Sequence, residues 1–252
     1  MSLSLLDHLW DLHQNPGKET PKELLESQLS IEEGQTLQLG LLDRWLEQGK
    51  EIGGWKIGMT SGASRNAMGD GIRPFGFILQ SRIKKSETRL RLDQLHRGGV
   101  ENELCFGFGI SLSSGTNPEK AKLAVNGIYP AFEINQKRLP LDAPSGLRVA
   151  DNLSNWGIVH GLNAGTDIGI DSIRVNLSRG DDHIEKTESQ GHIDDHYQSI
   201  STLANNLGQH GRSIEVGQKV ITGAFGKTPF AEGIFQGHFS HDVGNVKVEL
   251  IK

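Results

Sequence analysis

The chain is short of several things at once, and each shortage closes off a class of protein. It has one cysteine, Cys105, among 252 residues, so no internal disulfide can form. Lysine and arginine number 26 against 31 aspartates and glutamates, a net charge of -5. The domain-wide basic field of a general nucleic-acid binder is therefore missing. No apolar run approaches the ~20 residues that a membrane-spanning helix needs. The opening residues Leu3 to Asp11 carry acids where a secretory leader would carry a basic patch and then an apolar run, so a cytoplasmic protein is expected. Aromatic residues make up only 6%. What remains open is small-molecule chemistry.

Glycine is the residue in excess. Its 32 occurrences are nearly twice the ~7% of average proteins, which points to many tight turns and a β-rich body. The spacing of Leu3, Leu6, Leu9 and Trp10 predicts a short amphipathic helix. Ser30 with Glu33 reads as a capping box, and Leu37, Leu41 and Trp45 form the apolar row of a second helix. Residues 54–61 read as a strand entering a turn, with Lys56 on the face opposite Trp55 and Ile57. A further strand is expected at 77–83. Asn117 and Pro118 open another helix, which Asn126 and Gly127 are expected to close, and a strand carrying Glu133 then runs over 128–139. Tyr197, Ile200, Leu203 and Leu207 mark a last helix, and the polar stretch 180–195 is expected to be a mobile surface loop.

Two carboxylates stand one residue apart in an otherwise apolar strand, Val100-Glu101-Asn102-Glu103-Leu104-Cys105-Phe106. Strand alternation turns both to one face, and burying such a pair is costly unless a cation lies between them. A divalent ion on oxygen ligands would supply one, with Glu133 as a third ligand if its strand lies alongside. The residues alone leave open that one glutamate pairs with Lys137 or Arg138 and the others are solvated. Cys105 reads as a small buried hydrophobe. The phosphate-loop look of residues 223–228 fails because Ile221 stands where the first glycine should be. His192 and His196 lack the glutamate of a zinc-protease motif; Asp195 and His196 read as a helix cap.

In order along the chain, the words Gly54-Trp55-Lys56-Ile57-Gly58-Met59-Thr60-Ser61, Val100-Glu101-Asn102-Glu103, Phe132-Glu133-Ile134 and Asp151-Asn152-Leu153-Ser154 resemble the 2-keto-4-pentenoate hydratase and 4-oxalocrotonate decarboxylase group of the fumarylacetoacetate hydrolase superfamily. The resemblance implies an α+β fold: an N-terminal helix and strand region over 1–85, then a mixed β-roll over 86–252 that holds the metal, the two forming one compact unit. It implies Mg²⁺ or Mn²⁺ on Glu101, Glu103 and Glu133, and a 2-oxo-alkenoate or 2-hydroxydienoate substrate that is hydrated or decarboxylated in aromatic-compound breakdown. Lys56 is the implied proton carrier, its pKa falling beside a dication, and Ser154 a hydrogen-bond donor to substrate or water. Arg73, Thr222 and Gly223 are expected at the substrate, and a homo-oligomer is expected. One departure matters: Pro74 stands where relatives carry an acid after the lysine strand, with Asp70 as a conceivable substitute. A carbon-carbon bond hydrolase, a tautomerase and a catalytically inactive partner subunit therefore stay open as alternatives.

Overall fold

The computed structural model describes residues 3–252. Three helices come first: α1 (Leu5–Gln14), α2 (Lys22–Leu25) and α3 (Ile31–Glu47). Both long ones begin at a capping box, Ser4 with Asp7 and Ser30 with Glu33, in which serine oxygen and acidic side chain satisfy each other's orphan N–H groups. Trp10 and Trp45 join them, ring centroids 4.7 Å apart.

Four short strands follow in part, β1 (Ile52–Ile57), β2 (Phe75–Leu79), β3 (Ile83–Lys85) and β4 (Thr88–Arg91), then the one-turn helix α4 (Leu92–Leu95). The long strands β5 (Gly98–Phe108) and β6 (Val125–Gln136) flank α5 (Pro118–Ala124), whose first turn Asn117 caps. Helix α6 (Ser145–Ala150) and β7 (Asn155–His160) follow, then β8 (Arg174–Arg179), β9 (Asp182–Glu188), α7 (His196–Gln209), β10 (Lys219–Pro229), β11 (Gly233–Phe239) and β12 (Gly244–Ile251). Among the described residues no helix is long and apolar enough to cross a membrane.

The strands form two mixed sheets, a seven-stranded one in the order β2-β1-β10-β5-β6-β7-β3 and a five-stranded one in the order β4-β12-β11-β8-β9. One face of the large sheet, with Leu104, Phe106, Ile128 and Phe132, packs into the main core with Phe235, Phe239 and Val248 of the small sheet. The other face carries the glutamates and, further along the same strands, a dry cluster of Ile78, Cys105, Ala131, Ile158 and Ile221. Cys105 is buried there, as its sequence setting suggested, and burial pushes its thiol up to about 12. In the large sheet β1 pairs with β10 and β3 with β7, so strands from before and after residue 85 share it, while the small sheet is built entirely from residues beyond 85.

Two expectations are corrected. Residues 180–195 are not one loop: β9 lies within them, an edge strand with polar side chains on both faces, and that lack of alternation hid it. Asn126 and Gly127 do not close a helix but already belong to β6, since α5 stops at Ala124.

Helix α3 crosses α6 at glycines. A Cβ on Gly34 would stand 2.1 Å from the Gly146 carbonyl oxygen, and one on Gly146 2.1 Å from that of Leu29. Because α6 runs directly into the Asp151–Ser154 turn, Gly34→Ala is expected to cost about 1–3 kcal/mol by overpacking, read as a lower urea midpoint at unchanged slope.

Candidate metal centre

Antiparallel pairing of β5 with β6 puts Glu101 directly opposite Glu133, with Glu103 two residues further along the same face, opposite Ala131. One ligand oxygen from each of the three lies within 4.8 Å of the others. Glu103 and Glu133 are 4% and 0% exposed while Glu101 is partly exposed, so two of the three charges are fully buried. Burial, then the Glu133 charge, raises the pKa of Glu101 and raises that of Glu103 well above the ordinary carboxylate range.

Each carboxylate is held by named partners. Lys56 reaches across from β1 to Glu133 Oε1, which also accepts a 2.7 Å hydrogen bond from Asn155 Nδ2. The second oxygen of Glu133, Oε2, is buried with no hydrogen-bond partner. Glu103 Oε2 accepts the Gly223 N–H at 2.7 Å. Gly223 sits at an irregularity in the β10 and β5 pairing with φ +146, where a Cβ would meet Thr60 Oγ1 at 2.7 Å, so only glycine brings that N–H to the site. For Lys56, burial opposes its charge, but the charges of Glu133, Glu101 and Glu103 outweigh it and the pKa is raised. Gly76 faces Lys56 in β2, and a Cβ there would stand 3.0 Å from Lys56 Cγ.

These features fit a hard divalent cation. The donors are oxygens only, they converge, and the partnerless Glu133 Oε2 is a buried acceptor that a cation would satisfy.

The trio opens into a cavity of about 720 Å³ whose wall includes Lys56, Ser154, Leu153, His192 and Gly223. Leu153 and Ser154 belong to a turn in which Asn152, Leu153 and Ser154 all have positive φ, 56°, 49° and 62°. Such strain persists only where surroundings over-determine it. Here the Asn152 side chain takes the Phe77 N–H at 2.8 Å and donates to the Phe77 carbonyl at 2.9 Å. Behind it, Asp151 Oδ1 accepts from Arg138 Nε at 2.7 Å and bonds His13 Nε2 at 3.1 Å, while Arg138 Nη2 holds the Asp151 carbonyl at 3.0 Å. Gln38 ties the same region to β2, donating to the carbonyls of Phe75 and Val149.

Of the residues expected at the site, Glu101, Glu103, Glu133, Lys56, Ser154 and Gly223 converge on the cavity. Thr222 does not: strand alternation turns it to the opposite face, where its hydroxyl meets His196 Nδ1 at 2.8 Å. Arg73 is also outside the cavity wall, its guanidinium spanning Asp194 and Asn66. Pro74 offers only its carbonyl, to Gly58 N–H, and Asp70 is exposed and bonded to Asn66, so neither supplies an acid. Asn155, His13 and Gln38 were not picked out. Asn155 follows the Asp-Asn-x-Ser word directly, which was a usable signal; the other two reveal themselves only through tertiary contact. Arg138, offered as a glutamate partner, serves Asp151 instead.

No family model matches the chain. Among curated proteins it is 24% identical over 227 residues to 4-oxalocrotonate decarboxylase of a Pseudomonas species, covering 89% of this chain and 88% of that one. It is 24% identical over 231 residues to 2-keto-4-pentenoate hydratase of Paraburkholderia xenovorans strain LB400, covering 88% and 84%. In structure it is similar to 4-oxalocrotonate decarboxylase from Pseudomonas putida G7 complexed with magnesium and adipate, with a TM-score of 0.89, 20% identity and 99% of each chain covered. Fumarylpyruvate hydrolase from Pseudomonas aeruginosa, complexed with Mn²⁺ and pyruvate, is similar at a TM-score of 0.61 and 15% identity over 78% of this chain and 88% of that one. The chain shares its fold with these two solved structures. Its sequence is similar to those of a 4-oxalocrotonate decarboxylase and a 2-keto-4-pentenoate hydratase over most of its length.

The buried histidines set a pH test. Burial pushes His13 and His196 down to about 4 from an ordinary 6.5. Between those values the unfolded chain binds more protons, so their contribution is whole above pH 6.5 and is lost as pH falls toward 4, at most on the order of 3 kcal/mol each. The raised carboxylates act in the opposite sense, so the comparison is differential. In EDTA, the urea stability advantage of wild type over His13→Gln is expected to shrink steadily from pH 6.5 to 4.5.

Proposed function

We propose that the protein is a divalent-metal-dependent lyase acting on a 2-oxo-alkenoate or 2-hydroxydienoate, and the observation that carries this reading is the convergence of Glu101, Glu103 and Glu133 beside Lys56 in one cavity. Mg²⁺ or Mn²⁺ held by the three glutamates would supply a chelating point for the carboxylate and 2-oxo oxygens of the substrate and stabilise charge developing on the latter. The relatives at 24% identity named as decarboxylase and hydratase support the same chemistry.

The chain's own groups then have distinct tasks. Lys56 carries its proton at Nζ, against Glu133 Oε1, and is 7% exposed. It is positioned to hand that proton to the substrate's carbon chain and take it back, with Glu133 tuning its charge. Asn155 anchors Glu133 Oε1 and leaves Oε2 free to face a cation. The Gly223 N–H fixes Glu103 in the same way. The hydroxyl of Ser154 lines the cavity and is available to a substrate oxygen or a water. The apolar cluster around Cys105 and Ile221 keeps that side of the site dry, which strengthens each electrostatic contact.

With Pro74 in place of an acid, the titratable groups at the wall besides Lys56 and the trio include His192 and Glu185. We extend the same reading to a homo-oligomer in the cytoplasm, as the resemblance implies.

Purified protein with Mg²⁺ or Mn²⁺ is expected to consume 2-hydroxypentadienoate or 4-oxalocrotonate, followed by loss of dienol absorbance, and EDTA is expected to stop it. Glu103→Gln should lower kcat/KM more than about 100-fold, and Lys56→Met about 10²- to 10⁴-fold through kcat. Absorbance loss no faster than in the Glu103→Gln control sinks the proposal.

A further inference from the structure

Moving a proton onto a carbon chain and off another atom takes two carriers, and Lys56 is one of them. The glutamates converge as cation ligands, and the lysines and arginine of the wall have no lone pair free to accept a proton. Glu185 lies exposed on β9, where its Oε2 already accepts the Lys227 main-chain N–H at 3.3 Å. His192 is the ionisable group of the wall that is left over, and among the described residues neither of its ring nitrogens has a hydrogen-bond partner.

Its position is fixed from several directions. Ser189, 4% exposed, accepts the N–H groups of His192 and Ile193 at 2.9 and 3.0 Å and closes a tight turn. The His192 carbonyl accepts the Gly62 N–H at 2.9 Å, and the Asp194 N–H donates to the Thr60 carbonyl at 2.9 Å. Two arginines then grip the Asp194 carboxylate, Arg65 at Oδ1 over 3.0 Å and Arg73 at Oδ2 over 2.7 Å. The ring itself lies against Gly62, whose φ is +51°; a Cβ there would stand 3.0 Å from His192 Cε1 and 3.4 Å from Nε2, so a side chain at 62 would push the imidazole off its place. Ile193 packs onto Gly223, where a Cβ would meet Ile193 Cγ2 at 2.9 Å, and the Gly223 N–H holds Glu103. The turn that presents His192 is therefore locked to the same backbone that holds a glutamate of the trio.

We infer that His192 is a catalytic base in this cavity, taking a proton from the water that adds to a conjugated double bond, so that the reaction of this chain is hydration. The inference rests on the reading of the trio and Lys56 given above and selects between its two reactions. On a 2-oxo-3-alkenoate, the tautomer of a 2-hydroxydienoate, a water O–H bond breaks and its proton passes to a ring nitrogen of His192 that carries none. The water oxygen bonds to the fourth carbon, and the π pair between the third and fourth carbons moves toward the 2-oxo oxygen. Lys56 Nζ then gives its proton to the third carbon and the 2-oxo group is restored. His192 is partly exposed and returns its proton to solvent, from which Lys56 regains one. Decarboxylation adds no water and has no use for such a base.

Two readouts separate the base from the metal machinery. Exchange of the hydrogens on the third carbon of 2-oxopentanoate in D₂O, followed by NMR, calls on Lys56 and the trio without any addition of water. Formation of 4-hydroxy-2-oxopentanoate from 2-hydroxypentadienoate calls on the base as well. With the full chain and Mg²⁺, His192→Gln is expected to lower hydration about 100-fold through kcat while lowering exchange no more than about threefold. His192→Ala is expected to gain about tenfold or more in hydration rate from added imidazole, a recovery that a merely structural histidine would not give. Hydration by His192→Gln at the wild-type rate, equal loss of hydration and exchange, no recovery with imidazole, or a wild type that exchanges without hydrating overturns the inference. Wild-type exchange no faster than with Mg²⁺ alone overturns the metal-site reading itself.

Discussion

Three carboxylates converging at the wall of one cavity, two of them fully buried, repel one another, and the surroundings are arranged to offset that repulsion. A pair of glutamates facing each other across two strands repel, and burial multiplies the repulsion. Lys56 neutralises one charge through Glu133, and the Gly223 N–H softens another at Glu103. A divalent ion would offset the remaining excess of negative charge more fully than a monovalent one. Stability and function therefore oppose each other here, since a site comfortable without a cation would bind one weakly.

Glycine is the means by which the backbone comes so close. Gly223 lets a main-chain N–H reach Glu103, and Gly76 leaves room for the Lys56 stem. The excess of glycine noticed in the composition is thus partly explained by the cavity and not only by turns. The glycines at Gly34 and Gly146 serve the scaffold, bringing α3 and α6 to backbone contact so that the strained turn after α6 is held in place.

How much of this was legible beforehand follows from the range of the interactions. The capping box of Ser30 with Glu33 and the N-cap at Asn117 are local, and they stand where the sequence puts them. Glu101 and Glu103 were conspicuous because strand alternation is also local, and Glu133 entered as a third ligand on the condition that its strand lie alongside, which it does, opposite Glu101. Thr222 entered with Gly223 through the resemblance, and strand alternation turns it to the other face, toward His196. Arg73 was misread because its partner, Asp194, is 121 residues away. β9 escaped notice since an edge strand wet on both faces has no apolar rhythm to detect.

The turn at Asn152, Leu153 and Ser154 links the site to the beginning of the chain. Its anchor Asp151 is bonded by His13, 138 residues earlier, on the first helix. A contact of such sequence separation closes a long loop of chain, with an entropic cost to match. The left-handed residues are thus held both by nearer partners, Phe77 and Arg138, and by the docking of α1 from the far end of the chain. Assembly of the site is, in that sense, a report that the whole chain has closed.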